Sequence, residues 1–348
     1  MSKLECKDFT VQYFGYDAAI SGVSTSFSDG INVIYAAEKG GKTTFLKALS
    51  GLIEHKGELL LDGENIDDVT LKDRDFQMLF DDYALFTRRS VRYNLEYLLS
   101  IRKIPKAERK QRIEEILRLF DLDLMIDAPV YRLNEWLKVA LVLCRAYLRN
   151  AKVLLIDNIF SKLDYQSRKE AFRRFMPLFQ GQGIVIYATD STEEAEALSS
   201  DIKFLSYGYL MQEGSGEDFR RAPRSVSAFL SFSDYAGVLS CTASENGLLF
   251  GDYLLPWEGT SVNEVYFGKE VLAGISSSDL VLSESGLAVR IQGRFLSCGK
   301  PLYTARYGED DLWFFSDREL SIGEKVHLVP MRTTGLFDPV NQRSILRY

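Results

Sequence analysis

A short stretch near the N-terminus carries residue types that can bind phosphate. An apolar, β-branched run at 31–35 leads into a small, glycine-bearing turn: Ala36, Ala37, Glu38, Lys39, Gly40, Gly41, Lys42, Thr43 and Thr44. An apolar-periodic segment follows, so strand, loop and helix occur in the order that a phosphate-binding loop requires. In such a loop, backbone N–H groups and the helix N-terminus bind the anion, the lysine reaches the outer phosphates, and the hydroxyl holds Mg²⁺.

The loop departs from the strict pattern G-x-x-x-x-G-K-[ST], because Ala36 stands where the first glycine belongs. The small residues usual in the middle of the loop are replaced by Glu38 and Lys39. Gly-Lys-Thr also occurs in ordinary strand-to-helix turns. The loop alone therefore leaves two interpretations open, a nucleotide site and a structural turn.

Composition limits the classes of function that the chain can have. Its 348 residues are enough for two domains. A net charge of −7, from 42 basic and 49 acidic residues, argues against a nucleic-acid surface. Four scattered cysteines without a C-x-x-C pair suggest neither a zinc site nor a disulfide framework. We therefore expect reduced thiols, as in a cytoplasmic protein. We find no signal-type N-terminus and no apolar run of membrane-spanning length, so we expect any membrane role to depend on a partner.

The order of the predicted elements indicates an α/β domain followed by an all-β domain. A buried-type strand at 153–156 is closed by Asp157, and a similar strand follows at 184–188. Helical patterns lie between the apolar runs, which is typical of a parallel sheet. Beyond Phe232 the sequence changes to many short strands with turns such as Asn246-Gly247, which predicts a small all-β domain.

Five motifs in order give the chain a resemblance to a known family. They are Lys72–Phe86 (KDRD…FDDYALF), Leu133–Tyr147, Lys152–Asp164 (KVLLIDNIFSKLD), Tyr187–Leu198 (YATDSTEEAEAL) and Leu336–Pro339 (LFDP). In this order and at these separations they resemble the motifs of the ATP-binding subunits of ATP-binding-cassette (ABC) importers, specifically those of the maltose and glycerol-phosphate type. The resemblance covers essentially the whole chain.

The resemblance implies a fold and a domain division. We expect a P-loop ABC-type ATPase domain at 1–232 with a helical subdomain at about 87–150. A small all-β domain, OB- or TOBE-like and barrel-like, is expected at 233–348, with a regulatory or dimerisation role.

The resemblance also implies ligands and partners. ATP and Mg²⁺ would be the cofactors, bound by the loop from Ala36 to Thr44, with Thr43 and Asp157 holding the metal. Phe14 aligns with the aromatic residue that stacks on adenine, although a core position is the alternative. The protein would lie on the cytoplasmic face of the membrane as a peripheral subunit. Its partners would be integral-membrane permease subunits and a second cassette subunit, in a homodimer or a heterodimer.

The same alignment shows that the residues of hydrolysis are replaced. Asp81 stands at the position of the loop glutamine, Asn158 at that of the general base, and Asp190 at that of the switch histidine. Losing a positioned general base costs about 10²–10⁴-fold in rate. The signature Ser-Gly-Gly is replaced by Asn134-Glu135-Trp136, whose indole either fills the phosphate contact or packs on the helical subdomain.

Two functional hypotheses follow from this combination of motifs and losses. The first is a nucleotide-binding importer subunit for carbohydrate or another polar small solute, which binds ATP but hydrolyses it poorly or not at all. The alternative is a pseudo-ATPase that acts as a structural or regulatory interaction module.

Overall fold

The computed structural model describes residues 2–13, 18–37, 39–199, 201–257 and 262–346. The chain divides into two compact units, Met1–Glu213 and Gly214–Tyr348. The first is α/β and the second is mainly β, so the predicted fold class is confirmed. Residues 214–232 group with the second unit, whereas the sequence analysis assigned them to the first domain.

The strands of the first unit form two sheets. They are β1 (Lys3–Gln12), β2 (Ala18–Ser28), β3 (Gly30–Tyr35), β4 (Lys56–Leu61), β5 (Glu64–Asn65), β6 (Phe76–Leu79), β7 (Val153–Asp157), β8 (Ile184–Thr189), β9 (Ile202–Ser206) and β10 (Tyr209–Gly214). Among the described residues, one sheet has the order β2-β1-β4-β5. The other, which we call the central sheet, has the order β10-β9-β3-β8-β7-β6.

The first unit also contains α-helices. They are α1 (Lys42–Ser50), α2 (Val91–Ile101), α3 (Lys106–Leu117), α4 (Glu135–Arg149), α5 (Tyr165–Phe175) and α6 (Thr192–Leu198). Of these, α1, α4 and α6 contact the central sheet. Short 3₁₀ turns lie at Arg118–Phe120, Asp123–Met125, Val130–Arg132 and Met176–Phe179. Polar side chains begin several of these helices, since Ser90, Asn134, Asp164 and Ser191 each accept a backbone N–H of the first turn. The segment 87–150, predicted as a helical subdomain, contains α2, α3 and α4.

Parallel pairing in the central sheet positions the candidate site. β3 pairs in parallel with β8, β8 with β7, and β7 with β6. Every residue of β7 and β8 is buried, which explains their nearly continuous apolar sequence. The carboxyl ends of these strands meet at one edge of the sheet, where α/β proteins bind ligands. The glycine-bearing loop follows β3 at this edge, and Asp157 ends β7 there.

The second unit consists of two helices and two antiparallel sheets. The helices are α7 (Gly216–Arg221) and α8 (Val226–Phe232), with 3₁₀ turns at Glu264–Tyr266 and Ser277–Asp279. The strands are β11 (Gly237–Ser244), β12 (Gly247–Phe250), β13 (Tyr253–Pro256), β14 (Glu270–Ile275), β15 (Leu280–Ser283), β16 (Leu287–Ser297), β17 (Lys300–Tyr307), β18 (Asp310–Phe315), β19 (Lys325–Pro330) and β20 (Gly335–Phe337). In the described ranges the sheet orders are β13-β12-β11-β14-β20 and β15-β19-β16-β17-β18, around one shared apolar core.

Aromatic packing explains why residues 214–232 belong to the β unit. Phe229 of α8 is fully buried, and its ring centroid lies 6.2 Å from that of Phe337 in β20. A Cβ atom on Gly274 would lie 2.9 Å from the Phe229 ring, so glycine allows α8 to approach β14 closely. Phe219 of α7 stacks on Phe232 at 4.2 Å. The two helices therefore cover one sheet of the second unit.

We predict that the fragment 214–348 folds more stably than the fragment 233–348. Removing α7 and α8 deletes Val226 and Phe229 and exposes Phe337, and each fully buried apolar side chain contributes about 1.5–3 kcal/mol. The free energy of unfolding should therefore fall by about 3 kcal/mol or more. Urea unfolding followed by circular dichroism measures this difference. Equal unfolding midpoints for the two fragments would show that the helices are not part of this unit.

Candidate nucleotide-binding site

A cavity of about 490 Å³ lies at the carboxyl edge of the central sheet. Its lining residues are Ala18, Ala19, Lys39, Gly40, Gly41, Lys42, Thr43, Thr44, Asp81, Asp157, Asn158, Ser161, Asp190, Tyr207 and Gly208. The cavity brings together most of the predicted loop residues. It also contains the four predicted positions at or after the ends of neighbouring strands, namely Asp81, Asp157, Asn158 and Asp190. Ala36 and Ala37 do not line it, and Phe14 and Glu38 lie outside the described residues.

Glycine is required at the end of the loop, where α1 begins. Gly41 precedes the helix with a φ of 95°, a left-handed conformation that strains other residues. A Cβ atom there would lie 3.1 Å from the carbonyl oxygen of Ala19. Ala36 needs no such freedom because it is buried at the end of β3, where its N–H donates to the Thr189 carbonyl at 3.2 Å. The structure thus accommodates alanine at the position of the missing first glycine.

Lys42 lies largely buried at the first position of α1. Its amino group donates hydrogen bonds to the carbonyl oxygens of Ala36 and Ala37, the second at 3.0 Å. The loop carbonyls therefore hold the ammonium group beside the cavity. A phosphate that binds Lys42 must compete with these carbonyls for its protons.

Thr43 and Asp157 form a pair of oxygen ligands that fits Mg²⁺. The Thr43 hydroxyl hydrogen-bonds the Asp157 carboxylate across the start of α1 and the end of β7. Burial raises the pKa of Asp157, and the charge of Asp81 raises it further, whereas the Thr43 bond and Lys42 lower it. A buried carboxylate beside a hydroxyl is the ligand set with which P-loop proteins hold Mg²⁺. A metal held there would supply positive charge to the outer phosphates of a bound nucleotide.

The two replaced catalytic positions contact each other directly, and both contact Arg168. The Asn158 side-chain N–H donates to one Asp190 carboxylate oxygen at 3.2 Å, and an Arg168 N–H donates to the other at 3.1 Å. Arg168 also donates to the Asn158 side-chain oxygen at 3.4 Å. An amide cannot take a proton from water at neutral pH, so Asn158 provides no general base. No motif in the sequence pointed to Arg168.

Glu194 holds the side chain of Arg168 in place through hydrogen bonds. It is buried on α6 and accepts from Arg168 Nε at 2.7 Å. The hydroxyls of Tyr187 and Thr189 donate to its other oxygen, both at 2.6 Å. A buried charge that is paired and fully hydrogen-bonded in this way holds its neighbours in one arrangement. Asn158 and Asp190 are therefore held by a rigid network behind the cavity.

The replaced signature segment begins α4. Asn134 caps this helix by accepting the Leu137 N–H at 2.9 Å, and Glu135 pairs with Lys138 at 2.7 Å. The Trp136 ring lies 5.5 Å from that of Phe175 and packs on the core of the first unit. The structure thus favours the packing alternative for Trp136 over an indole that fills the phosphate contact.

One wall of the cavity was missed by the sequence analysis. Tyr207 and Gly208 form the turn between β9 and β10, and they line the cavity beside Ala18 and Ala19. Tyr207 is 85% exposed, which leaves its ring free to stack on a base. Nearby, the Tyr13 hydroxyl lies 3.3 Å from the Thr44 hydroxyl. The Tyr-Gly pair predicts a turn from the sequence alone. Only the fold shows that this turn lies beside the glycine-bearing loop.

Comparisons with known proteins agree with this fold and site. A family model described as ABC transporter matches residues 24–161. The Fe(3+) ions import ATP-binding protein FbpC of Escherichia coli (strain K12) is 30% identical over 279 residues, which are 78% of each chain. The spermidine/putrescine import ATP-binding protein PotA of Aggregatibacter actinomycetemcomitans is 32% identical over 226 residues, 64% of this chain and 60% of that protein. The solved structure of cbiO1 from Clostridium perfringens, part of the ABC transporter complex cbiONQ, superposes with a TM-score of 0.56 at 20% identity, covering 63% of this chain and 91% of that one.

The chain therefore belongs to the ABC transporter family, as an ATP-binding subunit of an importer. As a member of this class it acts with integral-membrane permease subunits, as a peripheral protein of the cytoplasmic face of the membrane. In the described ranges, no helix has the length and apolar character that crossing a membrane requires.

We predict that Asp157→Asn stabilises the ligand-free protein at neutral pH and abolishes the effect of Mg²⁺ on nucleotide binding. Burial raises the Asp157 pKa, so the folded state binds the proton more tightly than the unfolded state does. The ionised carboxylate therefore costs stability above the folded pKa, and this cost disappears below the unfolded value.

Urea unfolding at neutral and acidic pH measures this effect. The variant should be the more stable protein at pH 7, with a difference that shrinks as the pH falls below the ordinary carboxyl range. Asp82→Asn, which neutralises an exposed carboxylate, serves as the control. A variant that is less stable at pH 7, or that keeps Mg²⁺-dependent binding, would contradict the assignment of Asp157.

Proposed function

We propose that this importer subunit binds Mg²⁺ and an adenine nucleotide weakly and hydrolyses ATP poorly or not at all. The observation that carries the proposal is the composition of one cavity. It combines Lys42, Thr43 and Asp157, which suit phosphate and metal, with Asn158 and Asp190, which do not suit hydrolysis.

The loss of hydrolysis follows from the chemistry of two side chains. Attack by water on the outer phosphate needs a group that accepts the proton, and a positioned base contributes about 10²–10⁴-fold. The amide of Asn158 cannot accept it, and the carboxylate of Asp190 already binds Arg168 and Asn158. The bound nucleotide then acts as a static ligand that stabilises the domain.

The solute belongs to the same proposal. The sequence motifs favour carbohydrate or another polar small solute, and the relatives are named for ferric ions and for spermidine and putrescine. We propose a small polar or charged solute, with carbohydrate as one member of that class. Recognition of the solute would lie in the permease and not in this chain.

We extend the proposal to the domains and to the partner cassette. The first unit would be the nucleotide-binding domain, and the β unit would be a regulatory or dimerisation domain. The second cassette subunit would be an identical or a related chain. An alternative function, a pseudo-ATPase interaction module, is favoured by the network that ties Asn158 and Asp190 to Arg168, because this network satisfies both side chains without any substrate.

We predict that Mg²⁺–ATP stabilises the isolated protein without steady hydrolysis. A ligand at 100 times its Kd that binds only the folded state adds about 2.7 kcal/mol to the free energy of unfolding. Thermal unfolding with and without Mg²⁺–ATP measures binding, and release of inorganic phosphate measures turnover. Lys42→Ala is the control and should lose the thermal shift. Steady turnover near 1 s⁻¹, within the usual enzyme range, would refute the loss of hydrolysis.

A further inference from the structure

The cavity has one uncharged wall and one acidic wall. Ala18, Ala19, Tyr207 and Gly208 form the uncharged wall, on the side of β2 and the β9–β10 turn. Three carboxylates form the acidic wall, at the carboxyl ends of β6, β7 and β8, namely Asp81, Asp157 and Asp190. The loop with Lys39 and Lys42 lies between the two walls. The cavity is thus electrostatically asymmetric.

This asymmetry fixes the direction of a bound nucleotide. Thr43 and Asp157 would hold Mg²⁺, which would supply positive charge to the outer phosphates, so these phosphates would lie toward the acidic wall. The base then lies toward the uncharged wall, where the ring of Tyr207 is exposed. A third phosphate would extend the phosphate chain further toward Asp81 and Asp190, because the loop and Lys42 would bind the first two.

The carboxylates of the acidic wall differ in how their charges are balanced. Asp157 would ligate the metal, and Asp190 pairs with Arg168 at 3.1 Å. Within the part of the chain that the structure describes, no cation pairs with the Asp81 carboxylate. The nearby Lys162 amino group binds the backbone carbonyl oxygen of Asp81 instead, and it lies 4.7 Å from the centre of the Tyr83 ring. Among the described residues the Asp81 carboxylate therefore has no direct ion-pair partner, and Lys162, held on the backbone of the same residue, offsets its charge only in part.

We propose that Asp81 makes this site selective for a nucleoside diphosphate over the corresponding triphosphate. The inference rests on the proposed function, since it presupposes that the cavity binds nucleotide. A third phosphate adds negative charge beside a like charge, whereas the first two phosphates contact the N–H groups of the loop and Lys42. Asp81 is exposed, so solvent screens the repulsion, and we expect about a tenfold preference rather than a much larger one.

Isothermal titration of the full-length protein in Mg²⁺ tests this selectivity, with ADP and with a non-hydrolysable ATP analogue as the two probes. The Kd for ADP should be about ten times lower than the Kd for the analogue. Asp81→Asn removes the charge at nearly constant volume. It should lower the Kd for the analogue and leave the Kd for ADP unchanged, so that the ratio of the two Kd values falls to about two or less. Asp82→Asn makes the same change in net charge at a neighbour that does not line the cavity, and it should leave the ratio unchanged.

Three results would overturn the inference, and they are distinguishable. Equal binding of both probes to the unmodified protein refutes the selectivity but leaves the proposed function intact. Weaker binding of both probes to Asp81→Asn, in Mg²⁺ only, shows that Asp81 binds the metal and does not repel the third phosphate. Binding of neither probe to the unmodified protein refutes the proposed function, and the inference with it.

Discussion

The parallel register of the central sheet is the constraint on which the site depends. Tyr35 at the end of β3 pairs with Thr189 of β8, and Asp157 of β7 pairs with Ala188. Leu79 of β6 pairs with Ile156 in the same direction. Four chain segments that are far apart in sequence therefore end at the same level. Because two parallel strands can be joined only by a crossover, β3, β6, β7 and β8 each continue as a segment that leaves the sheet at this edge, and residues of each segment line the same cavity.

The substitutions at positions 158 and 190 are compatible with each other because of charge. Asp190 introduces a carboxylate, and Arg168 balances it while it also pairs with the buried Glu194. A second carboxylate at position 158 would lie within hydrogen-bond distance of Asp190, so an amide that donates to Asp190 is the better neighbour. Removing one member of a buried pair costs about 3–5 kcal/mol, which makes Arg168 and Glu194 structurally necessary. The network therefore preserves the fold around a site that lacks its base.

The sequence predicted those features of the site that depend on local pattern. The loop, the apolar strand before Asp157 and the alternation of strands and helices are each read from a few adjacent residues. Tyr207 and Arg168 could not be predicted, because their roles arise from contacts with residues distant in the chain. The grouping of α8 with the β unit could not be predicted for a similar reason: the sequence around Phe229 is typical of any apolar helix, and only the contact of Phe229 with Phe337 shows where the helix packs. The side-chain direction of Trp136 likewise depends on Phe175, which comes later in the chain.

The ligand-free loop itself opposes tight binding of nucleotide. A phosphate that takes a donor of the Lys42 ammonium from the carbonyl of Ala36 or Ala37 leaves that acceptor without its charge-assisted hydrogen bond. Hydrogen bonds of this kind contribute about 1.5–3 kcal/mol, so their loss offsets much of the attraction between lysine and phosphate. Under the proposed function, weak binding would suit a site that hydrolyses its ligand poorly or not at all, because the site would then empty mainly by release. Fast dissociation would keep such a static ligand in equilibrium with the surrounding nucleotide concentration.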